Sequence, residues 1–259
     1  MARFRSLTAN HGEIAVTTIH VTTKREGDRF LVSWMTANQA GIIPVHVDIE
    51  TEDERILAEM AGLRHLLIEK EVLGMARTGE GLTINVSCGA IRKLLQRKSS
   101  KKELVKYSTW MRSRFADAIV KAPKKSISPN QVEARMKEQG KVMSDPIVIN
   151  EDYESRDTIP TTLGQVCISH HAVYRLEERL GMKNSSAAWR LIRKTLQTDN
   201  LTPAELPESV RNKKRRKYCD DAVYFNSSSG WQLVLVESGS ILVLTTIYKI
   251  PATSYCRAA

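Results

Sequence analysis

The most apolar region of the chain, Trp231–Tyr248, is broken in its middle by Glu237-Ser238-Gly239-Ser240. A run interrupted by turn residues cannot cross a membrane as one helix, and it reads instead as two strands joined by a tight connection. Asn226-Ser227-Ser228-Ser229-Gly230 supplies a second such break, preceded by the short β-branched and aromatic run Ala222–Asn226. The end of the chain is therefore expected to be an antiparallel sheet of Ala222–Asn226, Trp231–Glu237 and Ile241–Lys249.

Ahead of this sheet the pattern turns helical. Gln165–Ile168 reads as a short strand leading into Ser169–Gly181, where Ser169 can cap a helix and Gly181 can end it. Ala172, Leu176 and Leu180 recur at i, i+4, i+8 and are expected to face a core. His171, Arg175 and Glu178 recur at i, i+4, i+7 on a neighbouring face. That stripe combines a titratable imidazole, a fixed cation and a carboxylate; its bland alternative is a solvated face with an Arg175–Glu178 pair. A second helix, capped by Ser185 or Ser186, carries Ala188, Trp189, Ile192 and Leu196 as its apolar positions. Cys167-x-x-His170 has the spacing of metal ligands, but no second close pair accompanies it, and no metal is expected.

The first third reads as three strands, Glu13–Thr23, Arg29–Ala37 and Ile42–Ile49, followed by a capping-box helix start at Thr51-Glu52-Asp53-Glu54. Leu82–Cys88 reads as a fourth strand, Ala90–Arg97 as a basic helix and Lys102–Val120 as a longer one. Residues 122–165 are polar and rich in breakers, with one short helix opening at Ser128-Pro129-Asn130-Gln131 and closing at Gly140. The fold class expected is α+β in three parts: an N-terminal domain over 1–122, a linker over 123–165 and a second domain over 166–259.

Charge narrows the partner. Lysine and arginine number 39 against 29 acidic residues, a net charge of +10. Such an excess favours a polyanion, either nucleic acid or an anionic membrane face. Met1–Asn10 lacks a charged start followed by an apolar stretch, so no signal peptide is expected, and nucleic acid becomes the leading partner. The four cysteines, Cys88, Cys167, Cys219 and Cys256, stand far apart, as free thiols of a reducing compartment do. A cytoplasmic setting is expected, that of a bacterial host if the chain is phage-encoded. The densest cationic segment is Arg211, Lys213, Lys214, Arg215, Arg216 and Lys217, around Asn212. It can be a phosphate-binding strip, a solvated loop or a targeting signal. Tyr218 and Trp231 nearby offer rings for base stacking, although Trp231 opens a strand and equally suits a core.

Two resemblances follow from these motifs. His171-Ala172-Val173-Tyr174-Arg175-Leu176-Glu177-Glu178-Arg179 with Thr246-Ile247-Tyr248 resembles the H-A-x-x-R-x-x-E-R helix and terminal T-x-Y strand found in a bacterial and phage branch of the barnase, EndoU, colicin and RelE group of ribonucleases. The similarity spans about residues 166–249. It implies two helices on an antiparallel sheet and metal-free cleavage of RNA through its 2′-hydroxyl. His171 would act as base or acid, Arg175 and Arg179 would hold phosphate, Thr246 and Tyr248 would position it, and Glu178 would orient a neighbour. His170, beside His171, leaves the active imidazole open. Over about residues 10–120 the order β-β-β-α-β-α-α resembles the ribonuclease H fold, whose fourth strand runs parallel to its first. Two-metal cleavage requires convergent carboxylates. The first strand has no Asp, and the position after the fourth strand's alternation is Ser87 where an Asp would be required, leaving Glu54, Glu59 and Asp117 as candidates, so an inactive copy serving binding or assembly is expected.

The expected function is RNA binding, to single-stranded RNA or mRNA in preference to DNA, with no cofactor and no membrane association. The alternatives are an active metal-independent endoribonuclease and a structural adaptor that docks a protein partner or self-associates through its N-terminal domain.

Overall fold

The structure, a computed structural model, describes residues 16–125, 127–139, 144–206, 208, 212 and 222–250. These residues form a mixed α+β protein with two six-stranded mixed sheets and six α-helices. No helix among them is long and apolar enough to cross a membrane.

In the first sheet, β1 (Thr17–Glu26), β2 (Arg29–Met35) and β3 (Ala40–Val47) pair antiparallel in sequence order. Gly27 takes a φ of 65° in the β1–β2 turn, a conformation that glycine adopts without Cβ strain. β4 (Leu82–Asn85) runs parallel to β1, β5 (Ile119–Lys121) parallel to β4, and β6 (Ile147–Ile149) parallel to β3. The spatial order is β5-β4-β1-β2-β3-β6. Alternation puts Ile19, Val21, Val32, Ile43 and Val45 on one face, where α1 (Glu54–Arg64) buries Leu57, Met60 and Leu63. Gly62 permits this approach, since a Cβ there would stand 2.7 Å from Val32 Cγ1. The opposite face, around Ala40, receives Val132 and Met136 of α4 (Pro129–Gln139).

The second sheet has the order β7-β8-β12-β11-β10-β9. Its strands are β7 (Thr158–Thr161), β8 (Gly164–Ile168), β9 (Leu201–Pro203), β10 (Ala222–Ser227), β11 (Trp231–Ser238) and β12 (Ile241–Lys249). Every pairing is antiparallel except β8 with β12. α5 (His170–Leu180) and α6 (Ser185–Thr198) cover one face, packing Ala172, Val173, Leu176, Trp189, Ile192 and Leu196 onto Leu233, Leu235, Leu244 and Ile247.

Several sequence expectations change here. Lys102–Val120 is not one helix: it divides into a 3-10 stretch at Lys102–Ser108, α3 (Thr109–Ser113) and β5, because the β-branched Ile119-Val120 pair finds the free edge of β4. The basic helix is α2 (Gly89–Leu95). Asp53, not Thr51, stands at the N-cap of α1, and Thr51 instead accepts a hydrogen bond from the Asp53 amide at 3.2 Å. Asn184 caps α6, since the amides of Ser185 and Ser186 are taken by the Asp117 carboxylate at 3.3 and 2.6 Å. Leu180 is 43 % exposed while Val173 is buried, so the core stripe of α5 is 172/173/176. Residues 123–165 do more than connect: α4 and β6 complete the first sheet's layers and β7 opens the second, the chain crossing between Ile149 and Thr158.

The two sheets meet around Arg114, which is 4 % exposed. Its Nε donates to the Arg77 carbonyl at 2.8 Å, while Nη1 and Nη2 face Asp157 at 3.5 Å and Glu71 at 3.4 Å. Its guanidinium lies 5.0 Å from the Trp189 ring of α6. Burial pushes the Asp157 carboxyl up, against the pull of Arg114. Close by, Glu80 joins Asn184 at 2.8 Å and Arg190 at 2.7 Å. Removing one partner of a buried ion pair costs about 3–5 kcal/mol, because the other stays desolvated and alone. Arg114→Met is expected to lower stability in urea unfolding by about that amount, and Arg114→Met/Asp157→Leu to recover most of the loss. A single variant as stable as wild type would show that the junction does not depend on this pair.

Candidate nucleic-acid interface

Local sequence fixes α5 at both ends. Ser169 Oγ accepts the Ala172 amide at 3.1 Å, and Gly181 ends the helix at a φ of 59°. With 172, 173 and 176 turned to the core, His171, Arg175, Glu178 and Arg179 are left on the outer side. Arg175 Nη1 pairs with Glu178 Oε2 at 2.9 Å, both exposed, so Glu178 orients an arginine.

Arg179 reaches the last strand. β8 pairs with β12 only along Leu242–Leu244, and the chain then leaves the sheet through Ser169, whose amide donates to the Leu244 carbonyl at 3.2 Å. Beyond that point β8 no longer covers the edge of β12. Arg179 Nη1 occupies it, donating to the Ile247 carbonyl at 2.5 Å and to Thr246 Oγ1 at 3.2 Å. Its guanidinium also lies 5.8 Å from the Tyr248 ring. A long donor-rich side chain thus takes the place of a missing strand.

From Tyr248 a polar row crosses three strands in register. Tyr248 OH donates to Gln232 Oε1, and Gln232 Nε2 donates to Asn226 Oδ1 at 2.9 Å. Of the residues named from the helix and strand motifs, Arg179, Thr246 and Tyr248 are in contact. His171 and Arg175 lie within their electrostatic reach: partial burial, then the charges of Arg175, Arg179 and Arg97, hold the His171 pKa below 6.5. Its imidazole is therefore mostly neutral at neutral pH.

The two histidines have different surroundings. The His170 ring faces the first sheet's layers, with Nδ1 2.8 Å from the Arg112 carbonyl, so Nδ1 carries the proton. Its ring lies 6.4 Å from that of Tyr174. His171 is exposed beside the arginines. Cys167 is buried in β8, and burial pushes its thiol up to about 12. No cluster of three or more His, Cys, Asp or Glu suited to a metal occurs among the described residues. Trp231 is buried in the second core, with Lys249 Nζ 5.6 Å from its ring, and serves packing. The basic segment of Arg211, Lys213, Lys214, Arg215, Arg216 and Lys217, together with Tyr218, lies outside the described residues.

The three carboxylates named in the first sheet's layers do not converge. Glu54 pairs with Arg25 at 3.3 Å, and Asp117 holds the first amides of α6. Glu59 is buried and accepts Thr23 Oγ1 at 3.0 Å, the Ser87 amide at 2.6 Å and the Ser87 hydroxyl. Burial raises its pKa despite these donors and the charge of Arg55. Two hydroxyl residues, Thr23 at β1 and Ser87 after β4, thus surround one carboxylate.

Sequence reading missed Arg97, Arg112 and Arg156. They line a cleft of about 290 Å³ with Ser169, His170 and His171, where the first sheet's helices meet the start of α5. No local signal marks them, since they are brought there only by packing of the two sheets. Comparison with family models, curated proteins and solved structures returns no match to the chain.

Glu59→Ala strands the Ser87 amide and the Thr23 hydroxyl. Each unsatisfied buried group costs about 1–3 kcal/mol. The variant is expected to unfold at lower urea. Selective loss of an activity at unchanged stability would assign Glu59 a functional role.

Proposed function

We propose that this chain binds RNA along the outer side of α5 and the adjoining edge of β12, through His171, Arg175 and Arg179 with Thr246 and Tyr248. The observation that carries the reading is the contact of Arg179 with Thr246, Ile247 and Tyr248, which joins the helix and strand motifs into one cationic surface. The net charge of +10 supports a polyanionic partner. Arginine offers phosphate a planar, bidentate donor, and Tyr248 offers a ring against which a base can lie. The first sheet's order β3-β2-β1-β4-β5, with β4 and β5 parallel to β1, supports the likeness to the ribonuclease H fold. In that reading Thr23 and Ser87 stand where metal-binding carboxylates would be needed, which favours binding or assembly for this half.

Binding should be strongly salt-dependent. Each phosphate neutralised on a single strand contributes roughly −0.7 to the slope of log K against log salt. Arg175→Gln is expected to make that slope shallower by about one such unit, and Glu178→Gln, which frees Arg175, to strengthen binding. Filter retention of a labelled single strand across a salt series measures both. A flat salt response, or Glu178→Gln binding no better than wild type, counts against the surface.

The second reading, metal-independent cleavage, is favoured by one observation: the depressed pKa of His171 keeps a neutral imidazole beside two cations, as a base for the 2′-hydroxyl requires. It predicts cyclic-phosphate ends in EDTA and loss of cleavage of at least about a hundredfold in His171→Ala. Intact RNA after incubation with pure wild-type protein would leave binding alone.

A further inference from the structure

The cleft beside α5 has a charge distribution that the described residues do not neutralise. Arg156 is satisfied, its Nη2 pairing with Glu154 at 2.6 Å and its Nη1 donating to Ser238 Oγ at 2.9 Å. Arg97 and Arg112 have no carboxylate partner among the described residues. Arg112 is half-buried, its Nε is shielded from water without a hydrogen-bond partner, and its pKa is lowered by burial and by the charge of Arg97. Arg97 stands at the end of α2 at a φ of 58°, a conformation that costs an arginine energy. Two repelling guanidinia, one partly desolvated, are stable together when an anion lies between them.

The remaining wall suits that anion. His170 and His171 open the eleven-residue helix α5, whose N-terminal end carries partial positive charge. Cys167, Ile168 and Val243 supply an apolar side, which strengthens charge pairing. A phosphate monoester, with a charge of about −1.5 to −2 at neutral pH, matches two guanidinia better than a carboxylate or an internal phosphodiester does. The volume, about 290 Å³, is at the small end for ligand sites and admits a chain end in preference to a strand running through.

We infer that this cleft between the two sheets binds a phosphate monoester, the terminal phosphate of an RNA, with Arg97 and Arg112 as its principal ligands. The monoester site stands on the cleft itself; only the identity of the chain bearing the phosphate rests on the RNA reading. His171 lies at the border of cleft and outer surface, so an end held in the cleft would lead its first nucleotides toward Arg175 and Arg179.

Calorimetric titration of the full chain with inorganic phosphate, 5′-phosphorylated pUpU and unphosphorylated UpU tests this. Phosphate and pUpU are expected to bind wild type, at least about tenfold more weakly in Arg97→Gln and in Arg112→Gln, with UpU much weaker than pUpU. Arg97 is exposed, so its variant keeps the test decisive if Arg112→Gln fails to fold. Arg175→Gln should weaken a long RNA and leave inorganic phosphate unaffected. Absence of phosphate binding to wild type, or binding by both arginine variants as tight as wild type, overturns the cleft. Phosphate binding with pUpU excluded overturns the RNA end as its occupant. Phosphate and pUpU bound while long unphosphorylated RNA is not would retain the cleft and remove the outer surface.

Discussion

Arg114 is the most enclosed cation where the layers of the two described sheets meet. It is anchored by the Arg77 carbonyl and Glu71 in the first sheet's layers, and it faces Asp157 and the Trp189 ring as the chain enters the second. A guanidinium so enclosed is tolerable only when its donors and its charge are met together, which fixes the relative place of all the groups meeting them. Around it, Asp117 holds the start of α6 and Glu80 joins Asn184 and Arg190, so the second helix of one unit is positioned by acids of the other. The arrangement is directional where an apolar contact would allow sliding. That is why a narrow cleft can persist beside α5 instead of closing.

The cationic residues then fall into distinct groups by what answers them. Arg114 and Arg156 are answered by carboxylates and are structural. Arg179 is answered by a carbonyl and a hydroxyl, which leaves its formal charge unneutralised while fixing its place. Arg175 is shared with Glu178 on the surface, where such a pair contributes only about 0.2–1 kcal/mol. Arg97 and Arg112 are answered by no acid among the described residues. Around α5, Arg179, Arg97 and Arg112 thus carry charge that no carboxylate among the described residues meets.

Legibility in the sequence follows the range of the forces involved. α5 could be read to the residue because Ser169 and Gly181 act within one turn of the ends they define, and the last three strands because their turns are local. The strands of three residues, β5, β6 and β9, carry too few side chains for a period and exist because a neighbouring edge was free. The Lys102–Val120 helix was misread for the same reason: Tyr107, Trp110, Met111 and Phe115 keep a helix-like apolar spacing, while the edge of β4 takes Ile119–Lys121. At the site, spacing could place His171, Arg175 and Glu178 on one stripe. It could not show that Arg179 reaches β12, or that His170 turns toward Arg112, since both depend on what packs beside the helix.

That dependence ties the outer surface to the cleft. α5 begins where β8 ends, and β8 ends short of the last residues of β12, so the same chain departure exposes a strand edge and frees a helix N-terminus. The edge requires a donor and receives Arg179 from the far end of the helix. The N-terminus favours negative charge and receives none from the described residues lining the cleft, where Arg97 and Arg112 stand instead. Shortening a strand by a few residues thus generates both features at once. His171 belongs to both, since it lines the cleft and feels the charges of Arg175, Arg179 and Arg97 together.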